Sequence, residues 1–360
     1  MTPTIWLMES LSSQRDLIQG IRAFAKRKQT ETDVTVIASH RNDRHEILSQ
    51  ADIALIEPQD DNDRLAFILN TVNALGVKAI HTGRHAAWFE AHRAEITASG
   101  ATLTTGSRHP AMFELADDKV EYAHAMEKAG LPVVPSLRVD SVNDLRALLA
   151  RSPFANKSLC VKPVKGIYGM GFWRFDETVS PMAHFTHPDS RKVNARFYLS
   201  ALEQTGEFEP LVLMPYLPGP EYSVDMLVED GQVLAAVGRR KEGSVQYLEN
   251  HGEAFELAKA CARIMKADGL VNVQTRNNAT GKPLLLEINM RPSGGIGYTR
   301  AGGVNLPGLF AFRQLGLMSQ QDVLDETERA FTPAIVRPIT EAVIWEPTLA
   351  NLFSERNAHE

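Results

Sequence analysis

Residues 271–295 read VNVQTRNNATGKPLLLEINMRPSGG, two alternating segments around Ala279-Thr280-Gly281-Lys282. That composition suits a four-residue β-hairpin loop between Val271 to Asn278 and Pro283 to Arg291. If Asn278 pairs with Pro283, Gln274 falls opposite Glu287 and Asn272 opposite Asn289. Glu287, Asn289 and Arg291 share that face because strand side chains alternate with period two. Val271, Val273, Leu284, Leu286, Ile288 and Met290 form the apolar face, and only Leu285 breaks the pattern. Clustered carboxylate and amide oxygens suit a hard cation such as Mg2+, which takes one or two carboxylates and leaves its other positions to water and phosphate. A half-solvated strand pair also has a polar outer face, so the rest of the chain must decide.

The elements around this hairpin begin with βαβ alternation. Strands are predicted at Ile5 to Met8, Val34 to Ala38, Ile53 to Ile56, Val77 to His81 and Thr102 to Thr104. Helices are predicted at Ser13 to Arg27, Asp63 to Leu75 and Ala86 to Ser99. The first strand leads into Glu9-Ser10-Leu11-Ser12-Ser13, without the Gly-x-Gly-x-x-Gly of a dinucleotide site. That argues against a dehydrogenase or sugar-nucleotide enzyme built on this sheet. His81, Thr82, Gly83, Arg84 and His85 end the fourth strand, where a ligand or ordinary loop chemistry is expected.

Glu114 to Gly130 has helical periodicity with glycine as its stop, and Leu131 to Pro135 reads as a short edge strand. Ser158 to Phe175 is strand, glycine-spaced turn, strand. Lys162 stands at a strand exit, and Gly166, Gly169 and Gly171 free backbone N–H groups to cradle phosphate oxygens. Asp176 to Glu209 is irregular. Leu211 to Met214 precedes a proline-stiffened connector, Pro215 to Pro220, then a hairpin turning at Glu229-Asp230-Gly231. Arg239, Arg240 and Lys241 form a cationic run, either a solvated face or a triphosphate contact. Ala254 to Lys266 is an amphipathic helix. Arg291-Pro292-Ser293-Gly294-Gly295 offers backbone N–H groups beside a guanidinium, suited to a developing oxyanion. Strands are expected at Ala334 to Pro338 and Glu341 to Trp345, before a polar, disordered tail.

Asp118-Lys119 with Gly-Leu-Pro following, Val-Lys162-Pro before the glycines, the hinge-like connector and Glu287-x-Asn289-x-Arg291 occur in one order. Together they resemble the ATP-grasp superfamily, and the Asn-x-Gln before the loop is most similar to its carbamoyl phosphate synthase and biotin carboxylase branch. The resemblance spans about Asp118 to Leu306. It implies an α/β and α+β fold, with an N-terminal Rossmann-like parallel sheet domain over 1–112 and a two-subdomain ATP-grasp domain over 113–315. The nucleotide lid would span about 150–215, followed by a C-terminal strand and tail over 316–360. It implies ATP held by Lys119, Lys162, Gly166, Gly169, Gly171, the Met214 carbonyl, the Leu217 N–H and, at the ribose, Glu221. Gln274, Glu287 and Asn289 would hold Mg2+ or Mn2+, and Lys162 and Arg291 would serve catalysis. The serine often found in the glycine loop is missing, and Met214 replaces a commonly acidic residue. The implied activity is a carboxylate–amine ligase acting through an acylphosphate on small-molecule carboxylate and amine substrates such as amino acids. The alternative is a non-catalytic or regulatory ATP-binding protein of the same fold.

The 360 residues are 44% hydrophobic, enough for two or three domain cores. A net charge of −6 with no block of like charge carries neither a nucleic-acid nor a membrane-surface footprint. Cys160 and Cys261 lie far apart beside apolar neighbours, which reads as buried thiols in a reducing compartment. With no basic-then-apolar leader and no span-length apolar run, the chain reads as cytoplasmic. The histidines lack metal-ligand spacing, and no internal repeat or low-complexity tract is present.

Overall fold

The computed structural model describes residues 2–11, 13–28, 33–155, 157–166 and 169–342. Contacts divide the chain into a unit of Met1–Phe113, Tyr222–Val273 and Ile288–Glu360, and a unit of Glu114–Glu221 and Gln274–Glu287.

In the first unit, the alternating N-terminal strands form a five-stranded parallel sheet. Thr4–Leu7 is central, between Thr35–His40 and Ala79–His81, with Ile53–Ile56 and Thr102–Thr104 at the edges. Strand parity sends Ile5 and Leu7 to one face, against Leu17, Ile21 and Phe24 of helix Ser13–Lys28. Trp6 and Met8 join Ile68, Val72 and Phe89 on the other. Helix Asp61–Leu75 starts on the Asp60 carboxylate, which accepts from Asn62 N–H, and stops at Gly76 in the left-handed region. The single helix expected over Ala86 to Ser99 is two, Ala86–Ala91 and Arg93–Ala98. They part at His92, whose ring stacks on Trp88 at 4.2 Å. A short helix, His45–Leu48, was not foreseen.

A second sheet runs in the order Pro283–Asn289, Ala267–Asn277, Glu221–Glu229, Gln232–Glu242, Val245–Glu249, Ala334–Val336, with Gly106–Ser107 beside Ala267–Asn277. Asp230 and Gly231, both at positive φ, make the expected tight turn. Helix Ser13–Lys28 packs on helix Leu306–Gln314, with the Phe24 and Phe312 rings 4.8 Å apart, edge to face. Of the expected strand Glu341 to Trp345, Glu341 and Ala342 are not strand and the rest lies outside the described residues, as does the tail.

The second unit has its own sheet, ordered Lys192–Val193, Trp173–Phe175, Leu159–Pro163, Leu211–Pro215, Leu137–Val139. Cys160, Val212 and Met214 face one apolar cluster, while Val161, Leu211 and Leu213 face another. The helix read over Glu114 to Gly130 breaks at Asp118, where Pro110–Asp117 ends and Lys119–Lys128 begins. Asp118 is extended, and its side chain accepts from Val120 and Glu121 N–H groups, so a cap replaces a continuous turn. The region called irregular contains an eleven-residue helix, Ala195–Thr205, capped by Asn194.

Leu131 to Pro135 is not a strand but a single bridge, in which Val134 N–H donates to Leu285 O and Leu285 N–H to Pro132 O. That crossing explains why Leu285 interrupts a polar face: the residue is fully buried. Among the described residues no helix is long and apolar enough to cross a membrane. Leu285→Ala is expected to cost about 2–5 kcal/mol, read as a lowered urea midpoint.

Candidate functional site

The hairpin forms with strands Ala267–Asn277 and Pro283–Asn289. Asn278 belongs to the turn instead of the strand: its N–H donates to Lys282 O, and its side chain accepts from Thr280 and Lys282 N–H groups. In the unit containing this turn, Lys162 at the end of Leu159–Pro163 points to the hairpin, its Nζ 3.4 Å from Glu287 Oε2. Their side chains are 14% and 25% exposed, so the carboxylate and ammonium remain reachable. Gln274 is half-buried.

Lys119 is the first residue of its helix, and its Nζ donates to Val164 O at 3.0 Å and Gly166 O at 3.1 Å. The ammonium therefore holds the start of the glycine loop. Burial pushes its pKa below the ordinary lysine range, and the like charge of Lys162 lowers it further. Gly171 has φ +71°, and a Cβ there would lie 2.7 Å from Pro163 Cδ, so this return of the loop requires glycine. Gly166 and Gly169 also have positive φ.

The connector leaves strand Leu211–Pro215 with Tyr216 N–H donating to Ser158 O at 2.7 Å. The Met214 carbonyl accepts from the Cys160 thiol at 3.7 Å, and burial lifts that thiol to about 12. Leu217 is buried in the same cluster as Met214. Gly219 N–H donates to Asn277 O and Asn277 N–H to Pro220 O, which ties the connector to the hairpin strand.

Arg276, absent from the sequence-based site, organises this end. Its Nε donates to Gly219 O at 3.1 Å, its Nη1 lies 3.7 Å from Glu221 Oε2, and its guanidinium covers the Tyr216 ring. The signal was present, since Arg276 shares strand parity with Gln274.

The remaining signature residues, Asn289 and Arg291, belong to the other unit and are half-buried. Asn272 does not join a solvent-facing donor row. It is fully buried, and its Nδ2 donates to Asp225 Oδ1 at 2.9 Å and Ser223 Oγ at 3.0 Å. Arg239 completes this interior network. It donates to Asp225 Oδ2 at 2.7 Å, to Gln246 Oε1, to Ser223 Oγ and to Ser293 Oγ at 2.9 Å. A Cβ on Gly295 would sit 2.4 Å from Arg239 Nη1, so the Ser293–Gly295 loop rests on the guanidinium. The cationic run is thus split by strand parity: Arg239 is interior, whereas Arg240 pairs with Glu249 and Glu242 nearer the surface.

In the N-terminal sheet, Glu9 is 4% exposed and accepts from Arg84 Nη1 at 3.1 Å. Burial alone would raise its pKa. The His85 hydrogen bond and the His40, Arg84 and His85 charges prevail and bring it to about 2. His81 is buried and held neutral, its pKa brought to about 4.

Within one unit, Glu287 and Gln274 offer a carboxylate and an amide oxygen, donor types that a divalent cation keeping water and phosphate ligands accepts. No group of three His, Cys, Asp or Glu among the described residues forms an all-protein cage.

Residues 207–341 match the sequence model of a family described as ATP-grasp in the biosynthetic pathway with Ter operon. That match covers 135 of the 360 residues, all but the last part of them inside the stretch whose motifs resemble an ATP-grasp domain. The fold of the chain is similar to carboxyaminoimidazole ribonucleotide synthase from Aspergillus clavatus complexed with ATP, at TM-score 0.63 and 14% identity over 93% of this chain and 81% of that one. It is also similar to the biotin carboxylase domain of 2-oxoglutarate carboxylase from Hydrogenobacter thermophilus, a complex with MgADP, at 0.62 and 16% over 93% and 74%. L-amino acid ligase from Bacillus licheniformis follows at 0.59 and 15% over 92% and 78%. At these identities the likeness concerns the fold. No curated protein matches the chain.

Two predictions follow from the buried charges. Arg239→Met leaves Asp225 uncompensated and should cost about 3–5 kcal/mol, with part of the loss recovered in Arg239→Met combined with Asp225→Leu, by chemical denaturation. Because the folded Glu9 pKa, about 2, lies below its ordinary 4.5, its stabilisation is present above pH 4.5 and lost as pH falls toward 2. Glu9→Gln should flatten that part of the stability–pH curve.

Proposed function

We propose that the protein is an ATP-dependent ligase that activates a substrate carboxylate as an acylphosphate and joins it to an amine. The single observation that carries the reading is the convergence, in one unit, of Lys162 on Glu287 and of Lys119 on the glycine-loop carbonyls. This puts cations and an ionisable oxygen ligand beside a backbone suited to phosphate. In this reading residues 113–315 form the nucleotide-binding domain, with about 150–215 as its lid. Adenine meets the Met214 carbonyl and Leu217 N–H, and the ribose hydroxyls meet Glu221, which Arg276 orients. Gln274, Glu287 and Asn289 hold Mg2+ or Mn2+, which neutralises phosphate charge when bound.

The chain's own residues then have defined tasks. Lys119 and Lys162 draw the phosphates together, and Arg291 with the Ser293–Gly295 loop faces the negative charge that develops on the acyl group. A carboxylate oxygen attacks the γ-phosphorus and ADP departs. The amine nitrogen displaces phosphate from the acylphosphate, releasing a proton and leaving an amide. L-amino acid ligase, among the similar structures, supports amino acids as one substrate class.

The reading of a non-catalytic nucleotide-binding protein draws on Gln274, which supplies a neutral amide oxygen where a second carboxylate would bind metal more strongly. One experiment separates the two. ADP and phosphate release would be measured with MgATP against pools of amino acids and small carboxylates. Pool-dependent release that falls about 100-fold or more in Glu287→Ala is expected of the ligase. MgATP binding without release from any pool favours the second reading.

A further inference from the structure

Apart from the residues of the proposed ligase chemistry, the first unit contains a cavity of about 700 Å3. It is bounded by the last turn of helix Ser13–Lys28, the end of helix Leu306–Gln314 and one side of helix Gln320–Ala330. A volume of that order suits a small molecule. Helix Ser13–Lys28 carries the chain from the carboxyl end of strand Thr4–Leu7 back toward the amino end of its parallel neighbour, Thr35–His40. Lys28 and the cavity therefore lie away from the end of the sheet where the strands open at their carboxyl termini. None of the residues given above to ATP, metal or the acyl group lines it.

The walls follow from the short sequence Leu315 to Asp322, LGLMSQQD. Gly316, at φ +71°, ends the first helix: its N–H donates to Arg313 O, and the Leu317 N–H donates to Phe312 O at 2.8 Å. This pair of bonds is how a helix closes on a left-handed residue, and it brings Leu317 back beside Phe312. Ser319 starts the next helix at once, through a capping box with Asp322. Phe312, Leu317 and Met318 consequently line the cavity together, and Leu317 stays 37% exposed, an apolar surface left to solvent. Asp322, Asp325, Glu326 and Arg329 recur at helical spacing and line it from one face of Gln320–Ala330. Glu326 is 6% exposed and receives three cations: Arg27 Nη2 at 2.5 Å from Oε1, Lys28 Nζ at 3.0 Å from Oε2, and Arg329. One carboxylate cannot balance three positive charges, and the Arg329 side chain is 74% exposed. A second anion can reach it. Asp325 stands one turn before Arg329, yet no ion pair joins the two; among the described residues its carboxylate accepts from the neutral Gln321 amide at 2.7 Å. The cavity thus offers a cation and an acid one helical turn apart, beside an apolar wall.

We propose that this cavity binds a free amino acid with an apolar side chain, at a site separate from the ligase centre. Arg329, with Lys28 beside it, takes the carboxylate, Asp325 takes the ammonium, and the side chain lies against Phe312, Leu317 and Met318. Glu326 holds the cations in place from behind. The binding does not rest on the ligase reading, because every contact comes from residues outside that chemistry.

The full-length protein would be titrated calorimetrically with L-leucine, L-methionine and L-phenylalanine in turn. At least one is expected to bind, and to bind at least ~10-fold more weakly in Arg329→Gln and in Asp325→Asn. Both positions are exposed and should tolerate replacement, whereas Glu326→Gln risks the fold. The N-acetyl and amide derivatives of the amino acid that binds, which lack its ammonium and its carboxylate, are expected to lose a similar factor. Absence of binding by all three amino acids overturns the proposal, as does binding unchanged in either variant, or derivatives that bind as tightly as the parent. Glu287→Ala should leave the binding intact; its loss there would place the amino acid at the ligase centre and equally overturn the proposal. ADP release from MgATP reads the ligase proposal separately, and its failure would leave the titration result standing.

Discussion

A guanidinium inside a sheet is tolerable only when every N–H is answered, and Arg239 is where this chain meets that demand. Its partners come from Glu221–Glu229, from Val245–Glu249 and from the loop after Pro283–Asn289. Asn272 adds Ala267–Asn277 through the same Asp225 carboxylate. One buried charge therefore sets the registry of four strands and the resting place of the Ser293–Gly295 loop. Hydrophobic packing alone would permit these strands to slide, because apolar contacts lack direction.

A related economy governs the other unit, where polar groups serve structure and chemistry together. Lys119 is buried enough for its proton affinity to fall, yet it is saturated on one side by Val164 and Gly166 carbonyls. Arg276 likewise ties a carbonyl, a carboxylate and an aromatic ring at the connector. Side chains fixed by such contacts lose little further rotamer freedom when a ligand arrives, which is the physical meaning of preorganisation.

Legibility in the sequence followed the range of the interaction concerned. Local signals were strong: the parallel N-terminal strands, the Asp230-Gly231 turn and the hairpin at Asn278 all stem from period and turn chemistry within a few residues. Asp118 misled because a cap and a mid-helix acid look alike until the backbone at that residue is known. Leu285 looked like an exception, since the segment that covers it lies some 150 residues earlier in the chain. Arg239 and Asn272 were equally opaque. Their types suggested surface or ligand contacts, and only the partners, Asp225 and Ser223, brought alongside by strand pairing, make them interior. The pairing of Lys162 with Glu287 stood between these cases: each residue was conspicuous alone, and their meeting required the fold.

Helix Ser13–Lys28 is covered by helix Leu306–Gln314, which arrives nearly 300 residues later in synthesis. At the rates of ribosomal elongation, on the order of 5–20 residues per second, Gly20 and Phe24, which meet Pro307, Gly308 and Phe312, emerge well before those partners exist. The N-terminal sheet can form early, since its strands are complete by Thr104, but one apolar helix face must wait for tens of seconds. During that interval the nascent chain presents a sticky surface to its neighbours and to the holding factors that shield such surfaces. Vectorial synthesis, and not the thermodynamics of the finished molecule, is then the stage at which this topology is most exposed to loss.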